Sequence, residues 1–455
     1  MTDRSSFRSI VALAWPVFIG QIAVMLNSLI DIAMAGRLSA TDMAAVGLGS
    51  SIFVSIYVGA IGIILALTPV IAQQYGGKDF DAIGRSFAQG VWLALLLSIP
   101  AALAMAWSAP WLALSAPPAA VANITSNYLL AVTAGLPAAL LFRTFYAFSN
   151  AVSLPKAIMF INLLGLALKV PMNSIFMNEF GGAGCGVATA VIAWLQIAVA
   201  AAWLRRPEYR RFRLFQDWRQ RWRPQLHEQA RLLKLGLPIG AAYLIEVTSF
   251  TFMAIFVARL GEQVAASHQI AANLAGLAYM TALALSNASA VLVAQAIGAQ
   301  QQQQIGRIVK RGALLVAAAA LLTGLVLLIA NQWLARFYTS DPLVQQAAVP
   351  LLLILAGFHL FDAGQTYCAF VLRSFKITLL PSVIYVVALW GIGLGGGWYL
   401  TLASLPASAQ WLRNALPGAG GFWAAALFSL MLAFLLLMSL LLLTLRRQRL
   451  IALQA

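Results

Sequence analysis

The sequence predicts an all-α polytopic membrane protein, with twelve transmembrane helices in two six-helix lobes related by a pseudo-two-fold axis along the membrane normal. Three observations predict it. Charged residues make up only 9% of the chain and hydrophobic residues 62%, whereas a water-soluble domain is about one-quarter charged. The apolar residues run in long unbroken stretches, which excludes a transmembrane β-barrel with its alternating pattern. The second half of the chain also echoes the first.

Apolar stretches fall near residues 9–36, 43–74, 86–109, 119–147, 155–177, 184–204, 231–258, 265–297, 309–335, 344–371, 377–402 and 417–445. Each can hold the roughly 20 residues that a membrane helix needs. Arg4 and Arg8 ahead of the first stretch look like the start of a signal peptide. The stretch runs on past Pro16 to Asp31 without a convincing cleavage site, so it is read as a retained first helix. Gly391 to Gly397 and Pro406 to Pro417 interrupt the last two stretches.

Charge orients the set. One side receives Arg4, Arg8, Lys78, Arg85, Lys156, the run from Arg205 to Lys234, Arg307, Lys310, Arg311, Arg373, Lys376 and Arg446 to Arg449. The other receives Arg37, Arg259, Arg336 and Arg413. Basic loops stay in the cytoplasm, which puts both termini there, as an even number of spans requires. The net charge of +16 then reflects topology and attraction to lipid headgroups rather than nucleic-acid binding.

The organisation follows: an N-terminal lobe over 1–204, a basic amphipathic cytoplasmic linker over 205–230, and a C-terminal lobe over 231–455. In the linker Arg205, Arg206, Arg210, Arg211, Arg213, Arg219, Arg221 and Arg223 alternate with Phe212, Leu214, Phe215, Trp218 and Trp222. That mixture suits a helix lying on an anionic membrane face. Pro16 pairs with Pro238, and the same offset pairs Arg37-Leu38 with Arg259-Leu260. It also pairs Ala72-Gln73 and Gly76 with Ala294-Gln295 and Gly298, Ile83-Gly84-Arg85 with Ile305-Gly306-Arg307, and Ala147-Phe148 with Ala369-Phe370. Both halves have six spans and enter the membrane in the same direction, which makes a parallel repeat; such folds place substrate between the lobes near the midplane.

Three acids lie inside the apolar stretches: Asp31, Glu246 and Asp362. A mid-membrane carboxylate costs about 3 kcal/mol or more, so it faces a cavity, pairs with a charge or binds an ion. The repeat copies none of them; Met253, Val24 and Leu140 stand at the equivalent positions. A low dielectric disfavours a charged carboxyl group, which fits such a group to exchange a proton or a metal cation. A site that holds either a coupling ion or a cationic substrate enforces exchange by competition, the logic of an antiporter.

Lys169 is the other deep charge; it either pairs with Asp31 or snorkels along its helix. His359 shares a helix face with Asp362, either as a proton relay or as a packing histidine. Phe361 and Tyr243 are candidate faces for organic cations. Cys185 and Cys368 form no metal spacing and read as packing residues. Among nucleotide and enzyme signatures, no Walker A, HExxH or strand-borne GxSxG or GxGxxG is present, so the chain is read as no enzyme, with no cofactor.

The residues singled out resemble the MATE family of multidrug and toxic-compound extrusion transporters, NorM-type branch. The segments that carry the resemblance are Leu235-Gly236-Leu237-Pro238 with Glu246, and the eighth-helix stretch from Ala266 to Asn273, which includes Gln269. Phe361-Asp362-Ala363 with Leu372-Arg373 and Lys376, and Asp31 with Met34-Ala35-Gly36, complete it. The resemblance implies two lobes around a central cleft, alternating access, coupling to Na⁺ or H⁺, and organic cationic drugs as substrates. It implies that Glu246 and Asp362 are the cation residues, metal ligands if the ion is Na⁺, and that Asp31 is the first-lobe acid. Lys169 stands where the branch usually carries Asn, while Asn173 is retained; a proline expected near Ala282 is missing. The expected setting is the plasma membrane, the bacterial inner membrane by resemblance, with a monomeric chain in contact with membrane lipids. The alternatives are a flippase for lipid-linked precursors, which calls for a cationic cleft and extra helices, and a passive channel.

Overall fold

A computed structural model describes residues 6–216, 221–403, 406, 408 and 410–454. Arg4, Trp218 and Arg219 lie outside the described residues, and so do the side chains of Arg413 and Arg449. The described residues form helices and no strand.

Among the described residues, eleven continuous helical stretches are long and apolar enough to cross a membrane. One of them, Pro155–Trp203, bends at a single 3₁₀ turn, Gly181–Ala183, into helices of 26 and 20 residues. The membrane helices are therefore α1 (Phe7–Leu38), α2 (Ala40–Ile64), α3 (Phe80–Ala106), α4 (Ala119–Ala151), α5 (Pro155–Phe180) and α6 (Gly184–Trp203). They continue as α7 (Leu226–Ala258), α8 (Glu262–Gly298), α9 (Gln302–Tyr338), α10 (Pro342–Ser374), α11 (Leu379–Thr401) and α12 (Gly420–Gln454). Their outer faces are apolar: Leu321, Leu322, Ile329 and Trp333 of α9 are all exposed. In hydrocarbon such a face is the solvated one. Pro16, Pro100, Pro137, Pro171, Pro238 and Pro350 sit inside helices, as membrane helices tolerate.

By contacts the chain divides into two compact units: Trp15–Gly240, and Ala241–Ala455 together with Met1–Ala14. They are called the first and second unit below.

Local backbone geometry repeats where the sequence does. After the short helix Leu67–Gly76, Lys78 takes a left-handed φ of 61° and the Asp79 N–H reaches back to the Gln74 carbonyl. After α8, Gln300 takes a φ of 56° and the Gln301 N–H reaches the Ala296 carbonyl. Ser153 after α4 and Lys376 after α10 form a second such pair, with Leu154 bonded to Ser149 and Ile377 to Leu372. All four are Schellman turns, which satisfy the last carbonyls of a helix.

Within the first unit α2 and α7 cross on glycines. A Cβ on Gly62 would lie 2.5 Å from the Gly240 Cα, and one on Gly236 would lie 2.5 Å from the Ile63 carbonyl oxygen. Small residues let membrane helices approach closely without a hydrophobic drive between them.

The linker differs from the surface helix that its composition suggests. Its described residues form a short helix, Pro207–Arg210, then turns, and from Leu226 the first residues of α7. Tyr209, Phe212 and Leu214 are buried. The Phe212 ring packs on Tyr75, Phe80 and Phe148. Trp92 donates to the Trp222 carbonyl at 2.6 Å, and Gln229 to Gln89 at 2.9 Å. Tyr209, Phe212 and Trp222 anchor the linker into the first unit, while Phe215, Arg205, Arg206, Arg210, Arg211, Arg213 and Arg223 are exposed.

Candidate functional site

The three membrane acids fall in separate units, one in the first and two in the second, and their surroundings differ.

In the first unit Asp31 comes from α1, Lys169 and Asn173 from α5, and Cys185 and Thr189 from α6. Residues one turn apart share a helix face, so α5 presents Lys169 and Asn173 together. The Lys169 Nζ lies 2.9 Å from Asp31 Oδ2 and donates to Thr189 Oγ1 at 2.6 Å. Asn173 Nδ2 donates to Asp31 Oδ1 at 2.7 Å. Asp31 is 5% exposed, Lys169 2% and Asn173 0%. Of the two roles open to Lys169, the structure shows the ion pair. Burying two charges is costly unless they are paired and hydrogen-bonded, and here both are. Asn173 Oδ1 and Asn27 Oδ1, the latter one turn before Asp31 on α1, are buried without a hydrogen-bond partner.

In the second unit Glu246 of α7 and Asp362 of α10 line one cavity of about 490 Å³. Ser249, Phe250, Met253, Phe358, Gln365, Leu389, Gly393 and Ser429 also line it. The walls are mostly apolar, and the carboxylates are their charged groups. Asp362 accepts a hydrogen bond from Gln365 Nε2 at 3.1 Å. Gln365 Oε1 in turn accepts from the Tyr385 hydroxyl. Trp390 Nε1 donates to the Ile245 carbonyl and to Thr248 Oγ1, each at 3.2 Å, beside Glu246. Tyr385 and Trp390 flank or belong to an unusual part of α11, a π-helical run over Val386–Gly395. π-Turns are rare and concentrate at functional sites. A Cβ on Gly393 would meet Ser429 Oγ at 2.8 Å, so glycine lets this run close on α12.

The other candidates fall in distinct places. Tyr243 accepts a hydrogen bond from Arg373 Nη1 at 3.3 Å, and the guanidinium stacks 5.0 Å above its ring. Through Tyr243, Arg373 ties the end of α10 to the helix that carries Glu246. Phe361 packs on Phe434, and the cavity is lined by Phe358 instead. His359 is buried on α10 outside the cavity lining. Gln269 and Asn273 are exposed and bonded to each other at 3.4 Å. Among the described residues no three or more His, Cys, Asp and Glu gather as metal ligands. Gln365 and Ser249 were findable as neighbours one turn from the acids. Tyr385, Trp390 and Thr189 come from other helices and left no signal in the sequence.

The MatE family model matches residues 16–175 and 238–399. A probable multidrug resistance protein NorM from Aromatoleum aromaticum is 37% identical over 95% of this chain and 93% of its own. One of the same name from Chromobacterium violaceum is 35% identical over 94% and 92%. The bent form of the Vibrio cholerae MATE transporter VcmN superposes with a TM-score of 0.82, over 99% of each chain at 20% identity.

Proposed function

The chain belongs to the MatE family, and on that premise we propose that it exports organic cations from the cytoplasm in exchange for Na⁺ or H⁺ by alternating access. The relatives named multidrug resistance proteins support drugs as the substrate class. The observation that carries the reading is the second unit's cavity, where carboxylates from two membrane helices face one apolar space. Two acids without a salt bridge among apolar walls are costly unless a cation visits them. Aromatic walls such as Phe250 and Phe358 suit an organic cation, and the carboxylates suit its competitor. An acidic space does not suit a lipid-linked phosphate. Glu246 and Asp362 are the exchange residues, with Asp31 as the first unit's acid. Lys169 and Asn173 support Asp31, and Tyr243 braces Arg373 near Glu246. The basic loops and linker face the cytoplasm of a plasma membrane, with both termini inside, and the chain acts as a monomer among lipids.

The test is efflux of a fluorescent organic cation from vesicles holding the purified protein, under Na⁺ and pH gradients imposed separately. One gradient should drive efflux, and Glu246→Gln should abolish that drive. Accumulation that followed only the substrate's own gradient would make the protein a channel. Intact coupling in Glu246→Gln would remove the cavity from the mechanism.

A further inference from the structure

The first unit has more oxygen around Asp31 than a buried carboxylate needs. Three linked side chains supply it, the Asp31 carboxylate, Thr189 Oγ1 and Asn173 with its Oδ1, and one turn before Asp31 on α1 stands Asn27 Oδ1. The last two have no hydrogen-bond partner. Most buried polar atoms of folded proteins are satisfied, and carbonyl, hydroxyl and carboxylate oxygens together are the donor set of a hard cation. One cation is present, the Lys169 ammonium, between Asp31 Oδ2 at 2.9 Å and Thr189 Oγ1 at 2.6 Å. It reaches there from α5, and it is 2% exposed.

We propose that the first unit contains a monovalent-cation site that is permanently filled by the chain's own Lys169 ammonium, so that no free ion binds at Asp31 in the native protein. The oxygens are those that would hold a dehydrated Na⁺ or a small alkylammonium. The tether supplies the positive charge at a fixed position and at no cost in ion capture. The pair is internally neutral, so this unit can be embedded in hydrocarbon without recruiting an ion from either side. An ammonium carries three donors. Two are used, and the unpartnered Asn173 Oδ1 lies one turn from Lys169 on the same helix. The inference concerns occupancy of the first unit alone. It is read by binding, and so it stands apart from the coupling role of Glu246.

The experiment compares the purified full-length protein with Lys169→Met and with Asp31→Asn/Lys169→Met. Thermal unfolding midpoints are measured in NaCl, methylammonium chloride and choline chloride at equal ionic strength. Removing one partner of a buried pair strands the other charge, whereas removing both does not. Lys169→Met should therefore unfold lower in choline, by on the order of 5 °C. It should recover saturably in Na⁺ or methylammonium. The double variant should sit near wild type and respond to these salts as wild type does, because any effect at the second unit is common to both. A folded Lys169→Met that choline and Na⁺ treat alike would overturn the proposal. So would an Na⁺ response of wild type that vanishes in the double variant, since a free ion would then bind beside Lys169. This second comparison needs no folded single variant.

Discussion

Tyr385→Phe removes one oxygen and tests whether the α11 π-run sets the geometry of the proposed coupling site. The Tyr385 hydroxyl donates to Gln365 Oε1, which fixes the amide so that its Nε2 donates to Asp362 Oδ1 at 3.1 Å. Tyr385, Gln365 and Asp362 are 2%, 1% and 7% exposed, so water is a poor substitute for the lost donor. Without it Gln365 Oε1 is buried and unpaired, and the amide is held less firmly against the carboxylate, with its Nε2 bonds to Asp362 and Thr366 as its remaining anchors. A hydrogen bond of this kind contributes about 1 kcal/mol, which is roughly a fivefold change in affinity. In the vesicle efflux assay the half-saturating concentration of the driving cation should shift by about fivefold, with the maximal rate near that of wild type, because binding rather than turnover is perturbed. Gln365→Leu should act through the same link, so the double variant should fall short of the sum of the singles. Full additivity, or an unchanged half-saturation in Tyr385→Phe, would refute the relay. Loss of coupling in Glu246→Gln together with a silent Tyr385→Phe would leave the cavity as the coupling site and reject only the relay.

Three further outcomes follow from the packing. Gly62→Ala places a methyl 2.5 Å from the Gly240 Cα, against backbone that cannot rotate away; the helices must part, at about 1–3 kcal/mol. Its unfolding midpoint should fall while that of Gly47→Ala, which meets nothing within 4 Å, does not. Phe212→Ala removes a fully buried ring worth about 3–5 kcal/mol where the cavity cannot collapse, and trypsin should then cut the linker faster at Arg210 and Arg213. Burial pushes the Tyr209 hydroxyl, which donates to Ser149 at 3.1 Å, up to about 12 from its ordinary value of 10.0. The unfolded linker therefore loses this proton first, and docking weakens as pH rises from 10 to 12, by roughly 3 kcal/mol in all. Trypsin sensitivity should climb over that window in wild type, and Tyr209→Phe should lack this step.

The membrane helices were legible because hydrocarbon imposes a long, simple signal. The stretch expected near 155–177 runs from Pro155 to Phe180, and the one near 265–297 from Glu262 to Gly298. The linker's described residues are only partly helical, and its mixture of arginine and aromatic residues has two physical uses. A ring can face lipid or plug a protein groove, and only the neighbours decide; Phe212 found Tyr75, Phe80 and Phe148. At the sites the acids were visible because charge in an apolar run is conspicuous. Their partners were visible only when one turn away, like Gln365 from Asp362. Thr189 and Tyr385 are common residue types on other helices, and no pattern along the chain ties them to an acid. The α11 π-run left only its glycines as a trace.

The repeat copies backbone and not charge, and this separates what each unit does. Schellman turns recur after Gly76 and Gly298, and again after Ala151 and Ser374. These close helices and are indifferent to what the helix interiors carry. Asp31 has Lys169 beside it, whereas Glu246 and Asp362 share a cavity and no salt bridge is formed with either among the described residues. A neutral pair has no reason to admit an ion. Two carboxylates facing an apolar space are stabilised by any cation that enters, and whatever replaces that cation must also be positive. An exchanger needs such a deficit in one place and a settled balance elsewhere. A tethered charge placed in the second unit, as in Ser249→Lys with Lys169 kept, should therefore silence exchange in the vesicle efflux assay while the unfolding midpoint stays near that of wild type; retained exchange would refute the role of the charge deficit.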